Sequence, residues 1–186
     1  MLRIMIFDLE KQSLVGASVY HKKKKLIAPQ TMRFFGRSIR DQAKIGRVLI
    51  VLSGFHYRPA ILLYKSKDIV LNDVTIYSQA GMGIVGHLNE NITMNRLRVV
   101  PREGRFVSSN TDATHFASNR GFIHFFDCEF GGQGDDATNV HTYYTHIASR
   151  EGTNICETFL GEKNFTHSLY LDEPQVGDML AVVEKN

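Results

Sequence analysis

The sequence predicts an all-β protein folded as a right-handed parallel β-helix, and three observations support this fold class. Helical periodicity is poor almost throughout the chain. A segment of alternating apolar residues starts at Ile69 and recurs at Ile92 and Ile123, so its starting positions differ by 92 − 69 = 23 and 123 − 92 = 31. Repeats of roughly 20 to 50 residues are typical of solenoids. The sequence lacks Asn-Gly and Asp-Gly hairpin signals, which argues against the alternative, a β-sandwich with similar strands.

Each copy of the repeat is eight residues long and changes its alternation midway. Apolar residues occupy the first, third, sixth and eighth places of all three copies, which are residues 69–76, 92–99 and 123–130. A strand alternates its side chains strictly, so this change of phase predicts a bend that keeps the apolar side inward. We expect Asn72, Asn95 and Asp127 at the bends, because Asn and Asp adopt turn conformations at low cost.

Three further local expectations complete the predicted organisation. The longer second spacing predicts an extra loop around residues 101–119. The best helical candidate is residues 37–45, and it is short. Four consecutive lysines at residues 22–25 predict a solvated loop. We expect residues 1–186 to form a single β-helix domain, with its motif-bearing coils at residues 59–143.

Composition excludes several classes of protein. The chain has 186 residues, of which 43% are hydrophobic and 22% charged, as in an ordinary folded domain rather than a disordered chain. The net charge of +3 is too small to indicate a nucleic-acid partner, and no apolar run has the length of a membrane-spanning helix. The two cysteines have no CxxC spacing, so neither a disulfide framework nor a zinc site is expected. Asp8 interrupts the apolar N-terminus, which argues against a signal peptide and leaves the compartment open.

Two polar segments, residues 108–116 and 131–141, both contain Asp-Ala-Thr. Asp112 and Asp135 are one coil period apart (135 − 112 = 23), which predicts that they share a face in neighbouring coils, with Asp136 beside them. Adjacent strands lie about 4.8 Å apart, so the three carboxylates are expected to crowd a small area.

Crowded carboxylates favour one protonated and one ionised group, because like charges raise at least one pKa. Hydrolysis of a glycosidic bond needs such a pair: one acid protonates the leaving oxygen, and a carboxylate activates water. Two alternatives stay open at this point, namely a Ca²⁺ site and aspartates that serve as turn residues.

Four polar residues of these segments are candidates for binding a sugar or orienting the aspartates. Histidine can orient a carboxylate or donate to a hydroxyl group, and asparagine can donate to either. Each residue also has a structural interpretation, because histidines pack in cores and asparagines form solenoid turns. The candidates are His115, Asn139, His141 and Asn110.

These motifs resemble a known enzyme family. Asn110-Thr111-Asp112 followed by Asp135-Asp136 resembles the pattern of polygalacturonase-type β-helix hydrolases. The wider segments 104–116 and 134–141 resemble glycoside hydrolase family 110, whose members are exo-acting α-1,3-galactosidases. The resemblance covers roughly residues 59–143. It departs from the family at Thr142, where the family tends to have glycine, and the absence of Trp suggests that aromatic stacking on a sugar is weak or comes from elsewhere.

The resemblance implies a pectate-lyase-like solenoid and an inverting hydrolase without metal or organic cofactor. The implied partner is a glycan ending in α-linked galactose, with neither nucleic acid nor membrane involved, and a periplasmic or extracellular location is consistent with it. Asp135 becomes the candidate general acid. Asp112 and Asp136 become the candidates that hold and deprotonate the water. His115, Asn139, His141 and Asn110 become candidate substrate-binding residues.

Two other classes of function remain as alternatives. One is a non-catalytic β-helix that binds glycans or has a structural role. The other is a Ca²⁺-dependent polysaccharide lyase, for which Arg102, Arg105 and Arg120 are the nearby basic residues. At about 23 residues per coil the chain supplies some eight coils at most, and the resembling enzymes are severalfold longer. We therefore expect part of a larger β-helix enzyme, or a short member that self-associates through its solenoid ends.

Overall fold

The computed structural model describes residues 2–15, 19–21, 24–35, 37–52, 58–143, 145–152, 155–159 and 174–182. The N-terminal part contains six strands and a short helix: β1 (Leu2–Asp8), β2 (Ser13–Leu14), β3 (Val19–His21), β4 (Lys24–Ala28), β5 (Thr31–Phe34), α1 (Arg37–Gln42) and β6 (Arg47–Leu52). Strand β1 pairs antiparallel with β2, β3 and β6, and β4 pairs antiparallel with β5. The repeat did not predict this antiparallel sheet.

The predicted helix is confirmed in α1, although it ends at Gln42 rather than Ile45. The lysine run behaves differently from expectation. Lys24 and Lys25 are solvent-exposed but belong to strand β4, so the prediction of a loop is wrong for them. Lys22 and Lys23 lie outside the described residues. Among the residues that the structure describes, no helix has the length and apolar character needed to cross a bilayer.

Residues 61–141 form the coils, with three strands in each complete coil. The first coil comprises β7 (Ile61–Tyr64), β8 (Lys67–Asn72) and β9 (Thr75–Ile76). The second comprises β10 (Ile84–His87), β11 (Glu90–Asn95) and β12 (Arg98–Val99). The third comprises β13 (Thr114–Ala117), β14 (Arg120–Phe126) and β15 (Glu129–Phe130), and a fourth begins with β16 (Thr138–His141). The chain continues into an antiparallel pair, β17 (His146–Glu151) and β18 (Ile155–Phe159).

Equivalent strands of successive coils pair in parallel and build three sheets. Their orders are β16-β13-β10-β7, β14-β11-β8 and β15-β12-β9. The predicted all-β class and parallel β-helix are thereby confirmed. The apolar side faces inward as the repeat predicted, because Ile92, Met94, Leu97 and Val99 of the second copy are all fully buried.

The bends lie at the fifth place of every copy of the repeat. Asp73, Arg96 and Asp127 have positive φ angles of 55°, 56° and 53°. The expectation of a bend is therefore confirmed at Asp127, whereas at Asn72 and Asn95 it is one residue too early. These two asparagines instead form a ladder between coils, in which the Asn95 amide donates to the Asn72 side-chain oxygen at 2.7 Å.

The second spacing of the repeat, from Ile92 to Ile123, is 31 residues. It consists of the 23-residue coil period, a seven-residue insertion and one bulge residue. Val99 pairs with Ile76, one coil period away (99 − 76 = 23), whereas Ser109 bridges to Gln79 over a larger separation (109 − 79 = 30). The insertion therefore lies within residues 100–108, which overlap the range predicted for the extra loop. The last added residue is at Gly121, where the register between β11 and β14 shifts and φ is 69°.

Candidate active site

The site is built on the turns that connect the last strand of one coil to the first strand of the next. Asp112 lies at the end of the turn between β12 and β13, and Asp135 and Asp136 lie in the turn between β15 and β16. One carboxylate oxygen from each aspartate lies within 4.8 Å of the others. Asp112 is buried, with 5% of its surface exposed, while Asp135 and Asp136 are exposed. The structure thus brings the three predicted aspartates together at a surface position.

The ladder partner of Asp112 is Asp136, not Asp135. Thr114 pairs with Thr138, and the Ala113 amide donates to the Asp136 carbonyl oxygen at 2.9 Å. The predicted register is therefore wrong by one residue, because the bulge at Gly121 lengthens this coil. The repeated Asp-Ala-Thr motif carried the correct spacing (136 − 112 = 24). Asp135 converges with the other two from the adjoining position of the turn.

His115 connects the buried carboxylate to a second histidine. Its Nδ1 atom lies 2.6 Å from Oδ2 of Asp112, and its Nε2 atom lies 2.9 Å from Nε2 of His141. Nδ1 of His141 lies 3.2 Å from the carbonyl oxygen of Thr142. A continuous hydrogen-bonded chain therefore leads from Asp112 to the half-buried His141.

The hydrogen bonds of this chain restrict where its protons can lie. The Thr142 carbonyl can only accept, so Nδ1 of His141 donates to it. The contact between Asp112 and His115 and the contact between His115 and His141 each need one proton as well. Three arrangements meet these needs without an imidazolate: the charged histidine is His141, or it is His115, or both histidines are neutral and Asp112 is protonated. All three contain the same number of protons. The chain can therefore move a proton between Asp112 and His141 in two short steps.

The two predicted asparagines have different surroundings. Asn139, in β16, donates from Nδ2 to Oδ2 of Asp136 at 3.2 Å, so it lies at the aspartate cluster. Asn110 is buried, and its Nδ2 atom donates to the Ala80 carbonyl in the preceding turn at 2.9 Å. Both roles in binding sugar stay predictions, and the amide of Asn110 already has a partner within the solenoid.

Two residues near the site were not identified from sequence. The ring of His87 is buried, and its centroid lies 6.5 Å from that of His115. The strand register could have indicated His87, because it pairs with Ala117, which in turn pairs with His141. Arg3 of β1 reaches the turns of the site and donates to the carbonyl oxygens of Asn110 and Gly134. No pattern in the sequence indicated this contact.

Tyr143 is an aromatic residue at the histidines of the site, whereas Tyr144 lies outside the described residues. Tyr143 packs edge-on against His141, with ring centroids 5.0 Å apart.

An open groove of about 1020 Å³ lies away from the site, between β6 and the inserted loop, and none of the three aspartates lines it. Its lining includes Val48, Ile50, Tyr77, Arg102, Arg105 and Phe106.

The three aspartates are also a set of oxygen donors that could hold a divalent cation. Ca²⁺ takes about six to eight oxygen ligands. One oxygen of Asp112 is already hydrogen-bonded to His115, and one oxygen of Asp136 accepts from Asn139. These hydrogen bonds engage two of the six carboxylate oxygens and leave four, so solvent or substrate would have to supply about two to four further ligands.

The chain is similar to proteins named α-1,3-galactosidase A or B. No family model matches the chain. It is 32% identical over 130 residues to α-1,3-galactosidase A of Shewanella woodyi, which covers 69% of this chain and 21% of the relative. It is 41% identical over 105 residues to α-1,3-galactosidase A of Akkermansia muciniphila, covering 55% and 18%. It is 36% identical over 110 residues to α-1,3-galactosidase B of Phocaeicola vulgatus, covering 58% and 18%.

The chain therefore spans about a fifth of the length of these curated relatives. The resemblance to glycoside hydrolase family 110 that the aspartate motifs indicated is confirmed, and the chain is a relative of the α-1,3-galactosidases.

Proposed function

We propose that this chain carries the catalytic centre of an exo-acting glycosidase that removes terminal α-1,3-linked galactose from glycans with inversion. One observation supports the proposal most strongly: three carboxylates converge within 4.8 Å, and one of them is buried against a histidine. The names of the relatives supply the substrate class.

Asp135 acts as the general acid. Its side chain is solvent-exposed, so it can reach a glycosidic oxygen and can be reprotonated from water after each turnover. As the C–O bond breaks, its proton passes to the leaving oxygen.

Asp112 and Asp136 hold the attacking water between them. Asp112 removes one proton while the water oxygen bonds to the anomeric carbon, and His141 releases one proton to solvent, so that the number of protons held by Asp112, His115 and His141 is restored. Asn139 holds the second carboxylate in place through its 3.2 Å hydrogen bond to Asp136. This division of roles accounts for the burial of Asp112, because a base that delivers its proton to a histidine does not need direct contact with bulk water.

Stereochemistry is the sharpest test of the mechanism. Inverting glycosidases separate the two carboxyl groups by about 6.5–9.5 Å and retaining ones by about 5–5.5 Å. The closest oxygens here lie within 4.8 Å, nearer to the retaining range, so inversion is inferred from the family resemblance and not from this spacing. Proton NMR of galactose released from an α-1,3-galactoside distinguishes the two, since inversion gives the β anomer first and retention the α anomer.

The acid is tested by Asp135→Asn, which should reduce kcat by at least about a thousandfold while the circular dichroism spectrum stays unchanged. Asp127→Asn is the matched control, because this exposed carboxylate lies at a bend of the third coil and Asn tolerates its positive φ. Full activity of Asp135→Asn would contradict the acid assignment. Binding of the glycan without turnover by the unmutated chain would favour the non-catalytic alternative, and loss of activity in excess chelator would favour the Ca²⁺-dependent one.

A further inference from the structure

One face of strand β1 is directed at the turns that carry the aspartates. Side chains alternate along a strand, so Arg3, Met5 and Phe7 share a face. Arg3 reaches residues 107 and 131 positions further along the chain. The ring of Phe7 packs on Phe106 of the inserted loop, with centroids 4.7 Å apart. The N-terminal sheet is therefore anchored to the same side of the solenoid as the site.

Arg3 bridges two neighbouring turns. Its Nη1 atom donates to the carbonyl oxygen of Asn110 at 3.0 Å, and its Nη2 atom donates to the carbonyl oxygen of Gly134. Asn110 is two residues before Asp112, and Gly134 immediately precedes Asp135. One guanidinium group thus holds the backbone beside the candidate base and beside the candidate acid.

The backbone at this bridge has little freedom. The Gly134 amide donates to the Ser109 carbonyl at 2.9 Å, and a Cβ atom at Gly134 would overlap the Asn110 carbonyl. Arg3 is itself buried, with 8% of its surface exposed. A buried cation is costly unless it is hydrogen-bonded, so the two carbonyl contacts and the position of the guanidinium stabilise each other. The rigid, planar donors of arginine hold their two acceptors at a set separation, which a lysine ammonium does not do.

We infer that Arg3 is a positioning residue that sets the separation between Asp112 and Asp135. Its catalytic consequence rests on the proposed function, because the acid and the base act together only at the correct distance. A displacement of about 1 Å can reduce turnover by about a hundredfold. The N-terminal sheet is then a working part of the site and not an appendage to the solenoid.

The test compares three variants of the full chain. Arg3→Met removes the donors and keeps an unbranched stem. Arg3→Lys keeps the charge without the rigid donors. Arg47→Met is the matched control, since it breaks the part-buried ion pair with Asp8 in the same sheet, 3.1 Å between Nε and Oδ2, and Arg47 donates to neither turn of the site. For each variant we would measure hydrogen exchange in residues 108–116 and 131–137, melting temperature, kcat and KM.

Arg3→Met should accelerate exchange in both turns and reduce kcat by about 10- to 100-fold, with KM changed by less than about threefold. Arg3→Lys should recover part of both effects, and it decides the question if Arg3→Met does not fold. Arg47→Met should lower the melting temperature while leaving exchange in the turns and kcat unchanged. The inference is overturned if the Arg3 variants exchange like wild type, or if Arg47→Met reproduces their effects. Absence of turnover in wild type would count against the proposed function alone, because exchange still tests the positioning.

Discussion

The coils and the N-terminal sheet are held together by contacts of different kinds. In the coils, a polar side chain meets the residue one period away, as in Arg96 with Asp73 and Asn95 with Asn72, both 23 positions apart. In the N-terminal sheet, the ion pair between Arg47 and Asp8 joins residues 39 positions apart across an antiparallel pair of strands. Contacts of the first kind recur between equivalent positions of neighbouring coils, whereas the ion pair of the sheet joins two strands that have no such equivalents.

This difference decides what a substitution does in each region. A solenoid is stabilised by interfaces between neighbouring repeats, so a defect in one coil weakens the coils on both sides of it. A substitution in the N-terminal sheet is expected to affect the coils only through the contacts of Arg3 and Phe7 with them. Three predictions test this contrast, in addition to the tests of Asp135 and Arg3.

The largest effect on stability is expected from the core of the second coil. Leu97 is fully buried between the first and third coils, so Leu97→Ala should reduce the free energy of unfolding by about 2–5 kcal/mol. Val70→Ala is the control, because Val70 is 56% exposed on the outer face of β8. Urea titration measures both changes. Equal small losses would contradict the view that coil interfaces dominate stability.

An intermediate effect, on activity alone, is expected from the histidine that contacts Asp112. His115→Ala interrupts the chain to His141 and should reduce kcat by about a hundredfold, within the range typical of lost proton transfer. The control is His124→Ala, which removes an exposed ring stacked on Phe122 at 4.3 Å on the outside of the third coil. Steady-state kinetics on an α-1,3-galactoside compares them. If both variants retained full activity, the proposed proton route would be wrong.

The smallest effects are expected from one ion pair in each region. The Lys11 amide, followed by Arg47, keeps the pKa of Asp8 below its ordinary value, against the opposite influence of burial. The hydrogen bond from Arg96 lowers the pKa of Asp73. A carboxyl whose pKa is lower in the folded protein stabilises the fold above its unfolded pKa of about 4, and this contribution disappears as the pH falls through the folded pKa.

Asp8→Asn and Asp73→Asn should therefore each lower the melting temperature at neutral pH, and the difference from wild type should shrink below about pH 4. Added salt should weaken the two ion pairs to different extents. Arg96 and Asp73 are 56% and 64% exposed, whereas Arg47 and Asp8 are 17% and 11% exposed. About 0.5 M NaCl should abolish the effect at Asp73 and leave most of that at Asp8, because exposed pairs are screened more strongly. A salt response of equal size at both sites would remove this distinction.

The same contrast explains how much was predictable from sequence. The coils were predicted because each apolar residue has an equivalent one period away, and the aspartates because their motif also recurs. The register of Asp112 was misjudged because a single bulge residue at Gly121 leaves no mark in the apolar pattern. The contact of Arg3 could not be predicted, since it joins one residue of a non-repeating sheet to two backbone carbonyls, and any residue type supplies a carbonyl.

The bulge at Gly121 also has a consequence for how such a site can change. A β-bulge sets two residues opposite one, so an added residue is absorbed locally and the strands that follow keep their partners. Beyond Gly121, β15 stays paired with β12 and β16 with β13, and Asp136 lies opposite Asp112. The separation of two aspartates along the sequence can therefore change by one residue while their relative positions on the solenoid are retained.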